Sequence, residues 1–237
     1  MTPTVRVVPA VPSTAYSEIL ADHPVVIVSD VIRATTTATT AVDGANRCVP
    51  VASVADAFAE AGRWEDALLA GEQGGEAVPG FDLGNSPAAV DAITGRTIVL
   101  LSTSGTRVLR AAEDAKDVYV GCLRNVTATA RMVATTKRDV VFLAACTRGE
   151  FRDEDRLLAG WMTRQLAGSG YELADTLTRE TLDQWGNAPA SAMLQSASVA
   201  FLRSAGFEDD LEFILSHVDD LPYGIRFTGG ELVRANE

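Results

Sequence analysis

The sequence predicts an α/β fold, with a layered α/β/α arrangement around a largely parallel or mixed sheet. Short apolar runs rich in β-branched residues recur along the chain, as strands do. Stretches of helical length, either amphipathic or rich in alanine and threonine, lie between several of these runs. The run Ile98–Leu101 is apolar throughout, so a strand there would be buried on both faces. We therefore expect helices to cover both faces of the sheet.

The elements follow one another in a regular order. The predicted strands are Val5–Val8, Val25–Val28, Cys48–Val51, Thr97–Leu101, Asp117–Val120 and Asp139–Ala144. The predicted helices between them are Ala34–Ala45, Val54–Trp64, Gly105–Asp114 and Val126–Lys137. Three/four spacing of apolar residues from Glu154 onward predicts a further amphipathic helix that ends near Gly168. Two later helices are predicted at about Ala190–Ser204 and Asp209–Val218, and Tyr223–Val233 predicts a hairpin about Gly229-Gly230.

The chain is predicted to form a single unit over residues 1–237. It has no internal repeat, no low-complexity tract and no clear linker. With 237 residues, of which 47% are hydrophobic, it can bury one large core or two small ones. Any division is therefore expected to take the form of two closely packed lobes, about 1–120 and 121–237.

The charge and cysteine content restrict the partners and the compartment. The net charge of -12 argues against nucleic acid or an anionic membrane as a partner, since both would be repelled. Three cysteines without metal-type spacing fit a reducing compartment. Neither an export signal at the start nor an apolar run of membrane-spanning length is present, so cytoplasm is expected. A homodimer is expected only because dimers are the commonest oligomers.

The first group of candidate functional residues follows the strand Val25–Val28. An acid, an arginine and hydroxyl groups come next, among them Asp30, Arg33 and Thr35. In open α/β sheets ligands bind at the carboxyl ends of strands, where Asp30 and Arg33 fall. The structural alternative is that Asp30 caps the following helix and pairs with Arg33.

The second group is the loop Ser102–Arg107 between a strand and a helix. Backbone N–H groups at such a helix start, with serine and threonine hydroxyls and an arginine fork, can surround a phosphate oxyanion. The loop lacks the spacing and the lysine of a Walker motif. A helix cap without a ligand is the alternative.

The third group is a glycine-rich loop predicted over Glu72–Pro87. It carries Glu72, Glu76, Asp82 and Asn85, and loops of this length in compact domains are usually functional. Mg²⁺ takes oxygen ligands, commonly one or two carboxylates plus waters and substrate phosphate. The loop can supply such ligands, although a solvated acidic turn would explain it too. Pro87 is expected at the first position of a short helix.

The fourth group opens the long amphipathic helix. Glu154 and Asp155 share helical spacing with apolar residues, so both carboxylates lean towards the buried side. An inward carboxylate beside a metal or a phosphate is the functional interpretation. First-turn acids also complement the helix dipole, which is the structural one.

One motif suggests a different chemistry. The segment Cys146–Arg152 satisfies Cys-x-x-Gly-x-x-Arg, the phosphate loop of cysteine-dependent phosphatases, whose thiolate is the nucleophile. Glu150 lies inside this supposed anion loop, however, and Ala145 stands where a histidine is expected. A third interpretation is that the protein binds a phosphorylated metabolite without catalysis.

These segments together resemble a known family, the Mg²⁺-dependent 2-phosphosulfolactate phosphatases of coenzyme M biosynthesis. The matching segments, in chain order, are Asp30–Thr35, Gly71-Glu72 with Gly74-Gly75, Gly80–Pro87, Ser104–Arg107, Asn125, and Gly149–Phe151 with Glu154-Asp155. They lie within residues 25–160, and the run Gly80–Pro87 is highly specific. A weaker match follows at Asp209, Leu211, Glu212 and Phe213.

The resemblance implies an α/β fold and Mg²⁺-dependent hydrolysis of a phosphomonoester of a small sulfonated or carboxylated acid. The chain departs from the family pattern in having Gln73 in place of arginine and Arg152-Asp153 in place of serine-leucine. Arg152 is expected to compensate for the positive group lost at Gln73. The predicted site comprises catalytic Asp30 and Glu154; metal ligands Asp30, Glu72, Asp82 and Asp155; and substrate contacts Arg33, Thr35, Asn85, Ser104, Gly105, Thr106, Arg107 and Asn125.

Overall fold

The computed structural model of the chain describes residues 2–11 and 14–235. Within them the strands are β1 (Thr4–Ala10), β2 (Val25–Ser29), β3 (Arg47–Val51), β4 (Ala67–Gln73), β5 (Glu76–Ala77), β6 (Thr97–Leu101), β7 (Asp117–Gly121), β8 (Val140–Ala145), β9 (Glu172–Leu173), β10 (Gly224–Thr228) and β11 (Glu231–Ala235). The helices are α1 (Tyr16–Ile19), α2 (Ala34–Asp43), α3 (Val54–Ala61), α4 (Pro87–Asp91), α5 (Gly105–Ala111), α6 (Val126–Thr135), α7 (Asp153–Gly168), α8 (Thr176–Trp185), α9 (Ala197–Ala205) and α10 (Glu208–Ser216). Short 3-10 turns cover Leu123–Asn125 and Ala190–Gln195.

All described strands join one mixed sheet in the order β5-β4-β6-β3-β11-β10-β7-β2-β8-β1-β9. Two groups of strands are parallel within themselves: β3, β4 and β6 form one, and β1, β2, β7, β8 and β9 form the other. The antiparallel hairpin β10–β11 joins the groups, because β10 pairs with β7 and β11 pairs with β3. The predicted α/β class with a mixed sheet is thereby confirmed.

Three clusters of buried apolar residues lie between the sheet and the helices that cover it. In the largest, Val25 and Ile27 of β2 pack with Leu157 and Leu158 of α7. The second cluster uses the opposite face of β2, where Val26 and Val28 share buried contacts with residues of α2, α5 and β6. The third lies on the outer face of β3, β4 and β6, which α3 covers. Burial on both faces explains why β2, β6 and β8 are apolar apart from the terminal residues Ser29 and Thr97.

Local capping fixes several helix ends. Ser86 accepts a hydrogen bond from the Ala89 N–H and Pro87 occupies the first helical position, so α4 begins where the sequence predicted. Gly206 ends α9 in the left-handed conformation, with φ of 77°.

Several parts of the sequence prediction require correction. The single helix predicted at about Ala190–Ser204 is a 3-10 turn, Ala190–Gln195, followed by α9, and the extended backbone of Ser196 separates the two. Glu72 and Gln73, predicted in a loop, complete strand β4, which was not predicted, and Glu76-Ala77 forms β5, so the glycine-rich segment begins as a hairpin. Helix α8 was not predicted. The division into lobes about 1–120 and 121–237 stays a prediction. Among the described residues, no helix has both the length and the apolar character needed to cross a bilayer.

Candidate active site

Residues that follow β2, β6 and β8 meet at one place. The backbone N–H of Gly105 donates to Oδ2 of Asp30 at 2.8 Å, which joins the loop after β6 to the end of β2. Ser104 Oγ donates to the carbonyl of Cys146 at 3.2 Å, which joins the same loop to the end of β8. The Val31 N–H donates to Asp155 Oδ1 at 3.1 Å, which joins the start of α7 to the end of β2. The structure therefore brings the first, second and fourth predicted groups together at the carboxyl ends of these strands, and Glu72 connects the third group to them.

The approach of Gly105 to Asp30 leaves no room for a side chain. A Cβ on Gly105 would lie 2.6 Å from Asp30 Oδ2 and 2.9 Å from the Cβ of Ala34. Glycine is thus required by contact with the carboxylate rather than by an unusual backbone angle. This is the physical reason for the glycine in the segment Ser104–Arg107.

Glu72 ties β4 to the loop after β6. Its Oε1 accepts from the backbone N–H of Thr103 at 2.7 Å, and its Oε2 accepts from Thr103 Oγ1 at 2.7 Å and from the Gly75 N–H at 2.6 Å. The preceding Gly71 has φ of 142°, and a Cβ there would lie 2.0 Å from the carbonyl oxygen of Leu101. The carboxylate of Glu72 is held beside the cluster by this close packing of β4 on β6.

Four carboxylates form a cluster in which neighbouring charges act on Asp30 and Asp155; the other two members are Glu72 and Glu154. Burial, then the neighbouring Glu72, raises the pKa of Asp30 from 3.8 to about 7. Burial also raises the pKa of Glu154, and burial followed by the charges of Glu154 and Asp30 raises the pKa of Asp155 well above its ordinary value. Each of these three side chains is almost fully buried. Perturbed acids in one cluster are typical of catalytic and metal-binding sites.

Arg33 is buried and forms an ion pair with Asp210 of α10, an acid outside the cluster of four carboxylates. Its Nη1 donates to Asp210 Oδ2 at 2.6 Å, and its guanidinium stacks on the Phe207 ring with 4.2 Å between Cζ and the ring centroid. The sequence alternative, a pair between Arg33 and Asp30, is not what forms. Asp210 escaped the sequence analysis because 177 residues separate it from Arg33.

The specific run Gly80–Pro87 contacts the same acid. Ser86 Oγ donates to Asp210 Oδ1, and the Ala88 N–H reaches that oxygen at 3.3 Å. Asn85, next to Ser86, is 3% exposed, and its Oδ1 accepts no hydrogen bond within the described part of the chain. A buried amide oxygen without a partner is costly, so it marks a position where a ligand would be stabilised.

Three predicted substrate contacts serve the backbone of their own turns. Thr35 Oγ1 accepts from the Asp30 N–H at 3.1 Å, and Thr106 Oγ1 accepts from the Ser102 N–H at 2.8 Å. Asn125 accepts from the Cys122 N–H and donates to the carbonyl of Val120. These residues shape the loops after β2, β6 and β7, and their contact with substrate stays a prediction.

Two predicted residues are engaged elsewhere. Asp82 is exposed, and its Oδ2 accepts from the Leu69 N–H in the middle of β4 at 2.8 Å. Arg107 is also exposed, and its Nε donates to the carbonyl of Ala52 after β3 at 3.2 Å. Neither contact brings the side chain to the four carboxylates, so the metal role of Asp82 and the phosphate role of Arg107 stay predictions.

Cys146 does not have the surroundings of a nucleophile. Burial, then the charge of Asp155, raises the pKa of its thiol to about 11. At neutral pH such a thiol carries almost no thiolate. In addition, Thr147 and Glu150 hydrogen-bond each other's backbone in both directions, which closes a tight turn where an anion loop would need outward N–H groups.

The two departures from the family pattern lie on different elements, at the end of β4 and at the start of α7. Gln73 is exposed at the end of β4. Arg152 pairs with Glu150 through Nη1 at 2.7 Å, and its buried Nε has no hydrogen-bond partner among the described residues. Arg152 is thus close enough to influence Glu154 and Cys146, and its compensating role stays a prediction.

The donors available would suit a hard cation. Within residues 2–11 and 14–235, no three His, Cys, Asp or Glu side chains already stand in a metal-binding arrangement. Mg²⁺, however, commonly takes one or two carboxylates and completes its shell with waters and phosphate oxygens. Asp30 and Asp155 are such a pair, and the buried Glu154 Oε2 and Asn85 Oδ1 are oxygens without hydrogen-bond partners in the described structure. The donor set therefore fits Mg²⁺.

Comparison with known proteins points to one family. The family model for 2-phosphosulpholactate phosphatase matches residues 11–221. A protein of Carboxydothermus hydrogenoformans named "Probable 2-phosphosulfolactate phosphatase" is 37% identical over 86% of this chain and 87% of its own length. A Deinococcus radiodurans protein of the same name is 35% identical over 87% of this chain and 94% of its own. The 2-phosphosulfolactate phosphatase of Methanothermobacter thermautotrophicus is 34% identical over 80% of each chain.

Proposed function

The chain belongs to the 2-phosphosulfolactate phosphatase family, and we propose that it hydrolyses 2-phosphosulfolactate to sulfolactate and phosphate with Mg²⁺ as cofactor. The observation that carries the proposal is the cluster of buried acids at the ends of β2 and β8, near a buried arginine. A cluster of this kind can bind a cation and a phosphoryl group together and can exchange protons near neutral pH. By the same resemblance we assign the reaction to coenzyme M biosynthesis.

Asp30 and Asp155 are the proposed carboxylate ligands of Mg²⁺. Both are buried, and the charge of Asp30 raises the pKa of Asp155, so a divalent cation bound by both would relieve this repulsion. When bound, Mg²⁺ would neutralise negative charge on the phosphoryl oxygens. Asn85 Oδ1 is available as a further oxygen towards the cation or one of its waters.

Protons are handled by Asp30 and Glu154. Burial raises the pKa of Glu154 and so favours the protonated form of this carboxyl, which is the proposed donor of a proton to the leaving oxygen of the ester. Asp30, whose pKa is raised to about 7 in the absence of a cation, is the proposed acceptor of the proton of the attacking water. A new bond forms between the water oxygen and phosphorus as the ester P–O bond breaks. In the alternative route Asp30 attacks phosphorus itself, and a phosphorylated Asp30 in acid-quenched enzyme would identify that route.

The test is a screen of small phosphomonoesters, including 2-phosphosulfolactate and phospholactate, with Mg²⁺ and with EDTA. We expect phosphate release from 2-phosphosulfolactate, its loss in EDTA, and its recovery when Mg²⁺ is restored. Phosphate release from phospholactate but not from 2-phosphosulfolactate would support phosphomonoester hydrolysis and overturn the proposed substrate. Retention of 2-phosphosulfolactate without turnover in any condition would identify a binder and overturn the proposal.

The metal assignment has a readout that does not depend on turnover. Asp155→Asn should weaken Mg²⁺ binding at least tenfold in calorimetry. Asp153→Asn, in the same helical turn but only half-buried, serves as the matched control and should leave Mg²⁺ binding unchanged. Equal affinity of wild type and Asp155→Asn would remove Asp155 from the ligand set.

A further inference from the structure

We infer that Asp210 is a positioning residue, which holds Arg33 by one terminal nitrogen so that the opposite edge of the guanidinium binds two oxygens of the substrate phosphoryl group. The inference deepens the proposed function and rests on it. It assigns a role to α10, a helix more than 50 residues beyond the last acid of the cluster.

The contacts of Arg33 define the direction of its free edge. Nη1 donates to Asp210, while Nε and Nη2 make no hydrogen bond within the described part of the chain. These two nitrogens form the planar fork that matches two oxygens of a phosphate or carboxylate. Since the side chain is only 5% exposed, an anion bound by these two nitrogens would meet little competition from solvent.

The guanidinium has little freedom to turn. Phe207 covers one face of the group, and Asp210 holds one end in the plane. Phe207 immediately precedes α10 and Asp210 lies in its first turn, so both constraints come from one short stretch of chain. Rotation of Arg33 would break a buried ion pair and a ring contact at the same time.

Asp210 is itself fixed from the opposite side. Ser86 Oγ and the Ala88 N–H both donate to its Oδ1, while Oδ2 accepts from Arg33. Oδ1 of Asp210 therefore binds the start of α4, while Oδ2 binds Arg33. This arrangement gives a role to the serine that follows Asn85 in the run Gly80–Pro87. Through Asp210, Ser86 connects the segment that carries Asn85, the proposed oxygen donor to the cation, with Arg33, the proposed phosphate contact.

The experiment compares Asp210→Asn with Asp209→Asn. Asparagine keeps the size and an acceptor oxygen at 210 but removes the charge that pairs with Arg33. Asp209 lies in the same helix, is exposed, and is the matched control for loss of one negative charge. We expect Asp210→Asn to raise KM for 2-phosphosulfolactate and the Kd of inorganic phosphate, measured by calorimetry, at least tenfold, with kcat changed less than threefold. Asp209→Asn should stay within twofold of wild type in each value.

A double-mutant cycle separates positioning from a general effect on folding. In an Arg33→Lys background the fork is gone, so Asp210→Asn should change the phosphate Kd by less than twofold. If Asp210→Asn does not fold, Ser86→Ala supplies the comparison, because it loosens Asp210 while leaving its charge; a threefold or larger rise in phosphate Kd is expected. A folded Asp210→Asn variant with wild-type phosphate Kd would overturn the inference, as would an unchanged tenfold effect in the Arg33→Lys background.

The two proposals can fail separately. A wild-type protein that releases no phosphate from any ester contradicts the proposed function, while the phosphate Kd values still decide the role of Asp210. A wild-type protein that turns over 2-phosphosulfolactate, with Asp210→Asn equal to it in KM and phosphate Kd, retains the function and overturns the inference.

Discussion

The N–H of Gly105 donates to Oδ2 of Asp30 at 2.8 Å across 75 residues of sequence, and this contact fixes the acid at the end of β2 against the loop after β6. Burial nevertheless has the larger effect, and the pKa of Asp30 rises to about 7. The residue is thus held in place by a backbone donor and kept close to the midpoint of its titration at neutral pH.

Replacement of Gly105 by alanine should separate Asp30 from its donor. The added Cβ would lie 2.6 Å from Oδ2, so the carboxylate or α5 must move. We expect the free energy of unfolding to fall by about 1–3 kcal/mol and kcat to fall roughly 100-fold, since a displacement of about 1 Å can have that effect. Gly168→Ala, where a Cβ has nothing within 4 Å, is the control in thermal unfolding and kinetic assays. Wild-type kcat in Gly105→Ala would refute the importance of this contact.

Stability should depend on pH through Asp30. Between 3.8 and about 7 the folded state binds more protons at this carboxyl than the unfolded state, so stability falls as pH rises through that window. The effect is on the order of 4 kcal/mol without a bound cation. In EDTA, Asp30→Asn should flatten the dependence of Tm on pH and be more stable than wild type at pH 8, yet inactive.

Asp183→Asn, an exposed substitution, is the control for that titration and should reproduce the wild-type curve. Glu154 and Asp155 have raised pKa values too, so their contributions have the same sign. A wild-type Tm that increases steadily from pH 4 to pH 7 would contradict the buried-acid interpretation.

Glu72→Gln should loosen the junction between β4 and the loop after β6. The carboxylate accepts from the Thr103 N–H, Thr103 Oγ1 and the Gly75 N–H, and an amide must turn a donor towards one of them. Loss of charge-assisted hydrogen bonds should lower the free energy of unfolding by about 2 kcal/mol in denaturant titrations. Glu76→Gln, exposed in β5, should have no comparable effect. If Glu72→Gln and Glu76→Gln had the same free energy of unfolding, the three contacts of Glu72 would contribute nothing measurable to stability.

Cys146→Ser should retain phosphatase activity within about threefold of wild type. Its thiol is buried, and a pKa of about 11 leaves almost no nucleophile at neutral pH. Treatment with iodoacetamide should inactivate the enzyme slowly if at all. Complete loss of turnover in Cys146→Ser, with an unchanged circular dichroism spectrum, would restore the cysteine mechanism.

The sequence predicted what local patterns determine. Continuous apolar runs located β2, β6 and β8, and the family motifs located Asp30, Glu72, Glu154 and Asp155, which the fold then brings together. Strand β4 was not predicted because alanine, glycine and glutamate are disfavoured in strands, and its pairing with β6 overrides that preference.

Partners that are distant in sequence could not be predicted. The pairing of Asp210 with Arg33 depends on how α10 packs near α4, which no local spacing records. For the same reason the contacts of Arg107 with the carbonyl of Ala52 and of Asp82 with the N–H of Leu69 were not predicted, and the site roles of both residues stay predictions.

The hairpin β10–β11 has a consequence for biosynthesis. It alone joins the two parallel groups within the described sheet, and it comes after all the strands that it connects. During synthesis β3 and β7 therefore emerge from the ribosome long before their antiparallel partners β11 and β10. Until then the unpaired edges of β3 and β7 can pair with other chains. Completion of the sheet must await residues 224–235, so stalled or shortened translation products should be the ones that aggregate and require chaperones.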